Sequence, residues 1–150
     1  MFRGVAHLNL DTKGRMSFPS RYRDKLVERC DGEVVVTVDP DRCLLVYPLP
    51  EWEVIEQKLV KLPSLKPQTR RLQRLLMGHA TESQLDGSGR ILLPPPLREF
   101  ASLDKKVVLI GQGNKFELWD EGVWGQRCDQ WLEEAAEDYE LSDGLESISL

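Results

Sequence analysis

One ten-residue stretch recurs in this chain, first as Leu10-Asp11-Thr12-Lys13-Gly14-Arg15-Met16-Ser17-Phe18-Pro19. It returns 75 positions later as Leu85-Asp86-Gly87-Ser88-Gly89-Arg90-Ile91-Leu92-Leu93-Pro94. Both copies read Leu-Asp-x-x-Gly-Arg, followed by a short strand-like step and a proline. An arginine follows each copy at the same offset, Arg23 in the first and Arg98 in the second. A self-match at fixed spacing indicates a duplicated unit.

Residue types within each copy predict a tight turn. The side chain of Asp11 can accept a hydrogen bond from its own backbone two residues on, and Gly14 can adopt a positive φ without steric cost. Apolar and polar residues alternate on both sides, so we predict a β-hairpin around each turn. The first hairpin tip carries Lys13 and Arg15. By the same argument, the residues that shape the second turn are Asp86, Gly89 and Arg90.

The size of the chain bears on its core, and its charge pattern bears on its partners. The chain has 150 residues, and a half of about 75 lies near the lower limit for an independent core, so the copies should share one or depend on assembly. The net charge of −5 divides into +4 for residues 1–75 and −9 for residues 76–150. The basic half suits phosphate, whereas the acidic half would be repelled by it.

Other sequence features exclude several classes of protein. No stretch is apolar enough for a membrane span, and the residues at the start lack the pattern of a signal peptide. Three widely spaced cysteines indicate a reducing compartment rather than a disulfide framework. His7 and His79 do not join other ligands at metal-binding spacing, and no catalytic motif occurs. We therefore expect a protein without enzymatic activity, metal or cofactor.

Each copy predicts the same order of elements: hairpin, short helix, hairpin, longer helix. Residues 34–38 and 43–47 form the second hairpin of the first copy, and residues 107–110 and 116–119 that of the second. The β-branched strand 34–38 and the paired aromatics suit either a subunit interface or a plain core. The acidic tail at 141–150 is expected to be weakly ordered. Helices are expected near 19–29, from 51, at 69–77, at 97–101 and from 121.

Several segments together resemble the MraZ proteins, a family of bacterial transcriptional regulators. The match covers nearly the whole chain. Its main parts are the Leu-Asp-x-Lys-Gly-Arg turn before Pro19-x-Arg21-Tyr22-Arg23, and then Met1-Phe2-Arg3-Gly4, Tyr47-Pro48-Leu49-Pro50-Glu51-Trp52, Gly78-His79-Ala80 and Asn114-Lys115-Phe116-Glu117-Leu118-Trp119.

The resemblance implies a mixed α+β, mainly β fold. Its two units would be pseudo-repeated barrels of the swapped-hairpin, SpoVT–AbrB type with flanking helices, assembling into a ring-shaped homo-oligomer. Domain 1 would span 5–51, a helical connector 52–79, domain 2 80–123, and a C-terminal helix with the tail 124–150. The implied function is binding to direct DNA repeats upstream of its own operon, a cell-division and cell-wall gene cluster. The protein would then lie in the cytoplasm, at the nucleoid.

Five basic residues of the first copy are candidate DNA contacts. Arginine is the side chain that most often binds guanine in a bidentate manner in the major groove. The residues alone leave open which arginine reads a base and which holds phosphate, and for Arg15 the simpler alternative is a surface ion pair with Asp11. The five candidates are Arg3, Lys13, Arg15, Arg21 and Arg23.

The second copy departs from the first because Ser88 stands where Lys13 stood. The second turn is therefore predicted to bind DNA weakly or not at all. A different class of function is also open at this point: a self-assembling scaffold whose basic edge binds an acidic protein partner. A preference for repeated sequence over random duplex at equal salt would separate the two hypotheses.

Overall fold

The computed structural model describes residues 1–137, and the predicted tail at 141–150 lies outside them. None of the helices in the described part is both long and apolar enough to cross a membrane. The elements are β1 (Phe2–Asn9), β2 (Arg15–Ser17), α1 (Ser20–Cys30), β3 (Glu33–Val38), β4 (Leu44–Pro48), α2 (Leu49–Lys61), α3 (Pro67–Leu76), β5 (Thr81–Gln84), β6 (Arg90–Leu92), α4 (Pro95–Phe100), β7 (Lys106–Gly113), β8 (Phe116–Asp120) and α5 (Glu121–Glu137).

Six strands form one antiparallel sheet in the order β1-β7-β8-β4-β3-β5. The sequence repeat relates β1 to β5, β3 to β7 and β4 to β8, so the order reads the same from either edge once the copies are exchanged. The opening strand of each copy pairs with a strand of the other copy, as in Val5 opposite Ile110 and Val35 opposite Glu82. The chain is therefore mixed α+β, mainly strands, and organised as two interlocked units.

The predicted hairpin around each Leu-Asp-x-x-Gly-Arg turn is wrong in its strand pairing. β1 enters the large sheet beside β7, whereas β2 pairs with β6 in a separate ribbon, with Met16 opposite Ile91. The strands diverge where the turn begins. At that point the backbone N–H of Leu10 still donates to the carbonyl of Lys105, just before β7, at 2.8 Å. Alternation of apolar and polar residues identifies the faces of a strand but not its partner. The later hairpins, β3–β4 and β7–β8, are confirmed.

Both copies contribute to a single core on one face of the sheet. Met16 and Phe18 of the first copy pack in one cluster with Ile91 and Leu93 of the second, and the rings of Phe2 and Phe116 lie 4.3 Å apart between centroids. α1 and α4 also belong to this face, through Tyr22, Leu26 and Leu97. The sharing of a core, which the short half-chains predict, is confirmed.

The other face of the sheet is covered by the longer helices. Trp52 of α2 packs against Tyr47 of β4, and Trp124 of α5 packs against Trp119 of β8, with ring centroids 5.7 and 5.9 Å apart. The valines of β3 are buried within the chain itself, so core, rather than subunit interface, is the correct interpretation of that strand. The sheet thus leaves the β2–β6 ribbon and its two turns on the side away from α2, α3 and α5.

Candidate nucleic-acid interface

The first turn, residues 11–15, is closed by the side chain of Asp11. Its Oδ1 accepts hydrogen bonds from the backbone N–H of Lys13 at 2.9 Å and of Arg15 at 2.8 Å. The backbone N–H of Gly14 donates to the carbonyl of Asp11 at 3.0 Å, and Gly14 has a φ of +81°. Glycine adopts this left-handed conformation without the cost that a Cβ would bring. The turn is built as its residue types predict.

The second turn, residues 86–90, repeats this geometry. Oδ1 of Asp86 accepts from the backbone N–H of Ser88 at 2.8 Å and of Arg90 at 3.0 Å. Gly89 has a φ of +74°, and its N–H donates to the carbonyl of Asp86 at 2.9 Å. Replacement of the first-copy lysine by serine therefore removes a charge from the second turn without changing its backbone.

An ion pair crosses each turn. Nε of Arg15 lies 2.7 Å from Oδ2 of Asp11, and Nε of Arg90 lies 3.0 Å from Oδ2 of Asp86. The ion-pair alternative for Arg15 is therefore present in the structure. It does not exclude a ligand contact, because a guanidinium has five N–H donors and this pair engages only Nε. Within residues 1–137 the terminal NH₂ groups of Arg15 have no hydrogen-bond acceptor.

Hydrogen bonds within the turns also decide the charge of the two carboxylates. The backbone N–H of Arg15, then its side chain and the N–H of Lys13, lower the pKa of Asp11 to about 2, against an opposing effect of desolvation. The backbone N–H of Arg90, followed by that of Ser88, likewise lowers the pKa of Asp86. Both carboxylates are therefore ionised near neutral pH, and both arginines keep their partners.

The β2–β6 ribbon brings the two arginines to one surface. Met16 and Ile91 point into the core, so their neighbours along each strand face outward. On that outer face Arg15 lies opposite Leu92, a residue that is 52% exposed, and Ser17 lies opposite Arg90. A two-stranded ribbon fits the major groove of B-DNA. Sequence reasoning did not identify this face, because the partner of β2 lies 75 positions away.

The remaining predicted contacts lie in two places. Lys13 is exposed at the tip of the first turn, beside Arg15. Arg3 and Arg21 are exposed and meet at the buried Tyr22, whose hydroxyl donates to the carbonyl of Arg3. The guanidinium of Arg21 donates to that hydroxyl at 3.1 Å and lies 4.5 Å from the ring centroid.

Arg23 differs from the other four candidates because it packs against the second turn. Its side chain covers Gly89, and its Nη1 donates to the carbonyl of Ser88 at 3.4 Å. Arg98 occupies the equivalent place against the first turn, beside Gly14. Arg98 was not among the predicted site residues, although its offset from the second motif equals that of Arg23 from the first. That shared offset was the available signal.

Histidine and cysteine side chains of residues 1–137 make no hydrogen bond to the ribbon. Among residues 1–137 no three His, Cys, Asp or Glu side chains converge as a metal site would require. Nδ1 of His7 lies 3.2 Å from a carboxylate oxygen of Glu121, and Nδ1 of His79 lies 2.9 Å from the carbonyl of Leu75. Burial raises the pKa of the Cys43 thiol well above its ordinary value, so this group behaves as a packed apolar side chain.

Known proteins match this chain over its full length. Residues 1–75 and 76–142 each match the family model described as "MraZ protein, putative antitoxin-like". The chain is 68% identical over 150 residues to "Transcriptional regulator MraZ" of Thioalkalivibrio sulfidiphilus, covering 100% of both chains. The proteins of the same name from Halorhodospira halophila and Pseudomonas aeruginosa are 65% and 55% identical, again over 100% of both chains. The boundary between the two matched segments agrees with the 75-residue repeat. This chain belongs to the MraZ family.

Proposed function

We propose that this protein is a sequence-specific DNA-binding transcriptional regulator that reads operator DNA with the outer face of the β2–β6 ribbon. The observation that carries the proposal is the pairing, across one ribbon, of two turns with the same Asp–Arg ion pair, which brings Arg15 and Arg90 to the same surface. The name of its relatives, transcriptional regulator, supports the same function. A function of this kind needs no catalytic residue.

In this proposal Arg15 reads a base, and the neighbouring cations bind phosphate. Asp11 engages Nε and so orients the guanidinium, which leaves the terminal NH₂ groups for O6 and N7 of a guanine. Lys13 carries no such orienting partner within residues 1–137 and suits phosphate as a mobile point charge. Arg3 and Arg21 lie on the same copy and add phosphate contacts or a positive field.

Assembly is the second part of the proposal. Three or four cationic contacts from one protomer correspond to a salt slope of only about −3, which suits weak binding. Identical ribbons on a ring-shaped homo-oligomer, each unit a swapped-hairpin barrel, would bind several direct repeats at once and multiply the affinity. Exposed apolar side chains support self-association, among them Val60 at the end of α2, Leu65 and Leu132.

We propose that the repeats lie upstream of the protein's own operon, a cell-division and cell-wall gene cluster, and that the protein lies at the nucleoid.

The proposal is tested by titrating the protein onto duplex from upstream of its own gene and onto random duplex of equal length, across a salt series. Wild type should prefer the upstream duplex. Arg15→Ala should weaken that preference, because it removes the base contact, at a cost of about 1–3 kcal/mol per site. Arg71→Ala, at an exposed position of α3, is the matched control for loss of one arginine.

Two results would refute the proposal. One is equal, weak binding of wild type to both duplexes, which would favour a scaffold with an acidic protein partner instead. The other is a preference that Arg15→Ala and Arg71→Ala leave unchanged, which would place base reading elsewhere on the protein.

A further inference from the structure

Arg98 belongs to the second copy but lies against the turn of the first. Its Nε donates to the carbonyl of Leu93 at 2.9 Å, and the backbone N–H of Leu93 donates to the carbonyl of Gly14 at 2.9 Å. A Cβ on Gly14 would lie 2.6 Å from Nε and 2.7 Å from Cζ of Arg98. The guanidinium therefore fills the space that the glycine leaves open and joins the first turn to the end of β6.

Arg23 makes the reciprocal arrangement. It belongs to the first copy and lies against Gly89 of the second turn, where a Cβ would clash with its Cδ. Its Nη1 reaches the carbonyl of Ser88 at 3.4 Å, and the backbone N–H of Phe18 donates to the carbonyl of Gly89 at 3.0 Å. The two turns are thus joined by a closed set of contacts, in which each copy supplies the support for the other's turn.

We propose that Arg98 is a positioning residue for DNA recognition by the first turn, and Arg23 for recognition by the second, so that each turn is aimed by the opposite copy. This inference rests on the proposed function, because it concerns the same site. It removes Arg23 from the DNA contacts and gives it a role through Gly89. It also gives the second copy a role in DNA recognition through Arg98, even where its own turn binds DNA weakly.

The physical basis is pre-organisation. Asp11 fixes the internal shape of the first turn, whereas the contacts to Arg98 and Leu93 fix the direction in which the whole turn points. Without the guanidinium the turn keeps its internal hydrogen bonds but samples other orientations. If the competent orientation falls to about one tenth of the population, the apparent affinity for the operator falls about tenfold.

A double-mutant cycle on the upstream duplex tests the crossed assignment. Arg98→Met should weaken binding about tenfold. Its effect should be non-additive with Arg15→Ala and additive with Arg90→Ala. Arg23→Met should be non-additive with Arg90→Ala and additive with Arg15→Ala, with a loss limited to the share of binding that the second turn supplies. Arg71→Met, an exposed arginine of α3, is the control for loss of one positive charge and should be additive with both.

The salt dependence separates positioning from phosphate contact. Arg98→Met should leave the slope of log affinity against log salt at the wild-type value, because a positioning residue makes no phosphate contact of its own. Lys13→Met should reduce its magnitude by about 0.9. A slope that falls equally for Arg98→Met and Lys13→Met would overturn the positioning role and make Arg98 a DNA contact.

A measurement without DNA distinguishes failure of this inference from failure of the proposed function. In amide NMR spectra, Arg98→Met should shift the resonance of Gly14 and leave that of Gly89, and Arg23→Met should do the opposite. If Arg98→Met does not fold, Arg98→Lys keeps the stem and the charge, and the same Gly14 shift is expected. If Gly14 does not respond, the inference is wrong. If Gly14 responds but the cycle with Arg15→Ala is additive, Arg98 is a packing residue only, and the proposed function is unaffected.

Discussion

At the scale of single residues, the first turn depends on one carboxylate with two tasks. Oδ1 of Asp11 holds the backbone of the turn, and Oδ2 holds the guanidinium of Arg15. The same side chain therefore sets both the path of the chain and the direction of the arginine. Any change that neutralises the carboxylate affects both at once.

The stability of the first turn should depend on pH through Asp11. The pKa of Asp11 is about 2 in the folded chain, below its ordinary value of 3.8, so its stabilisation is fully present above about pH 4 and is lost as pH falls through 2. Asp11→Asn should lack this component. The difference in free energy of unfolding between wild type and Asp11→Asn, measured with urea from pH 5 to 2, should therefore shrink as the pH falls. A constant difference between them over that range would contradict the assignment.

Gly14→Ala should destabilise the fold. The positive φ costs about 1–2 kcal/mol for a residue with a Cβ, and the new methyl group would displace the guanidinium of Arg98. Gly87→Ala is the matched control in the second turn, because Gly87 lacks a positive φ and has no atom within 4 Å of its ideal Cβ. Thermal unfolding should show a clear loss for the first variant and little change for the second. Equal effects would refute this account of Gly14.

Much of this residue-level chemistry could be predicted from the sequence, because Asp and Gly act on backbone within a few positions of themselves. The support from Arg98 could not, since an equal offset after each motif does not tell which turn the arginine lies against. The same limit applies to Arg23, which the sequence predicts as a DNA contact together with the other basic residues of its own copy.

At the scale of elements, the main feature is the exchange of strands between the copies. Helices and the later hairpins follow from local patterns, such as the apolar stripe of Tyr22 and Leu26 in α1. The partners of β1 and β2 could not be predicted in the same way. A three-residue strand such as β2 carries too few side chains to specify its neighbour. Its pairing with β6 depends on the packing of Met16 and Ile91 in the shared core.

Neither half of the chain should fold as a monomer when expressed alone. Residues 1–75 lack β7, the partner of β1, and residues 76–150 lack β3, the partner of β5. Any folded form of one half should be a dimer that supplies the missing strands. Circular dichroism and sedimentation of each half, and of an equimolar mixture, test this. A monomeric half with cooperative unfolding would contradict the shared core.

At the scale of the whole molecule, the proposed function depends on repetition. A single protomer presents few cations, so affinity should rise steeply with the number of operator repeats. At fixed salt, a duplex with several repeats should bind at least about tenfold more tightly than one with a single repeat. Sedimentation should show a multimer of the free protein. An affinity that is independent of repeat number would refute binding through an oligomer.

The most direct measurement compares the base preferences of wild type and Arg15→Ala, position by position, on duplexes in which each operator base is changed in turn. We predict that wild type requires a guanine at one position of each repeat and that Arg15→Ala relaxes the preference at that position alone. The loss should be about 1–3 kcal/mol there, with the other positions unchanged. A variant that weakens binding uniformly at every position would contradict the account, because Arg15 would then hold phosphate and the base would be read elsewhere.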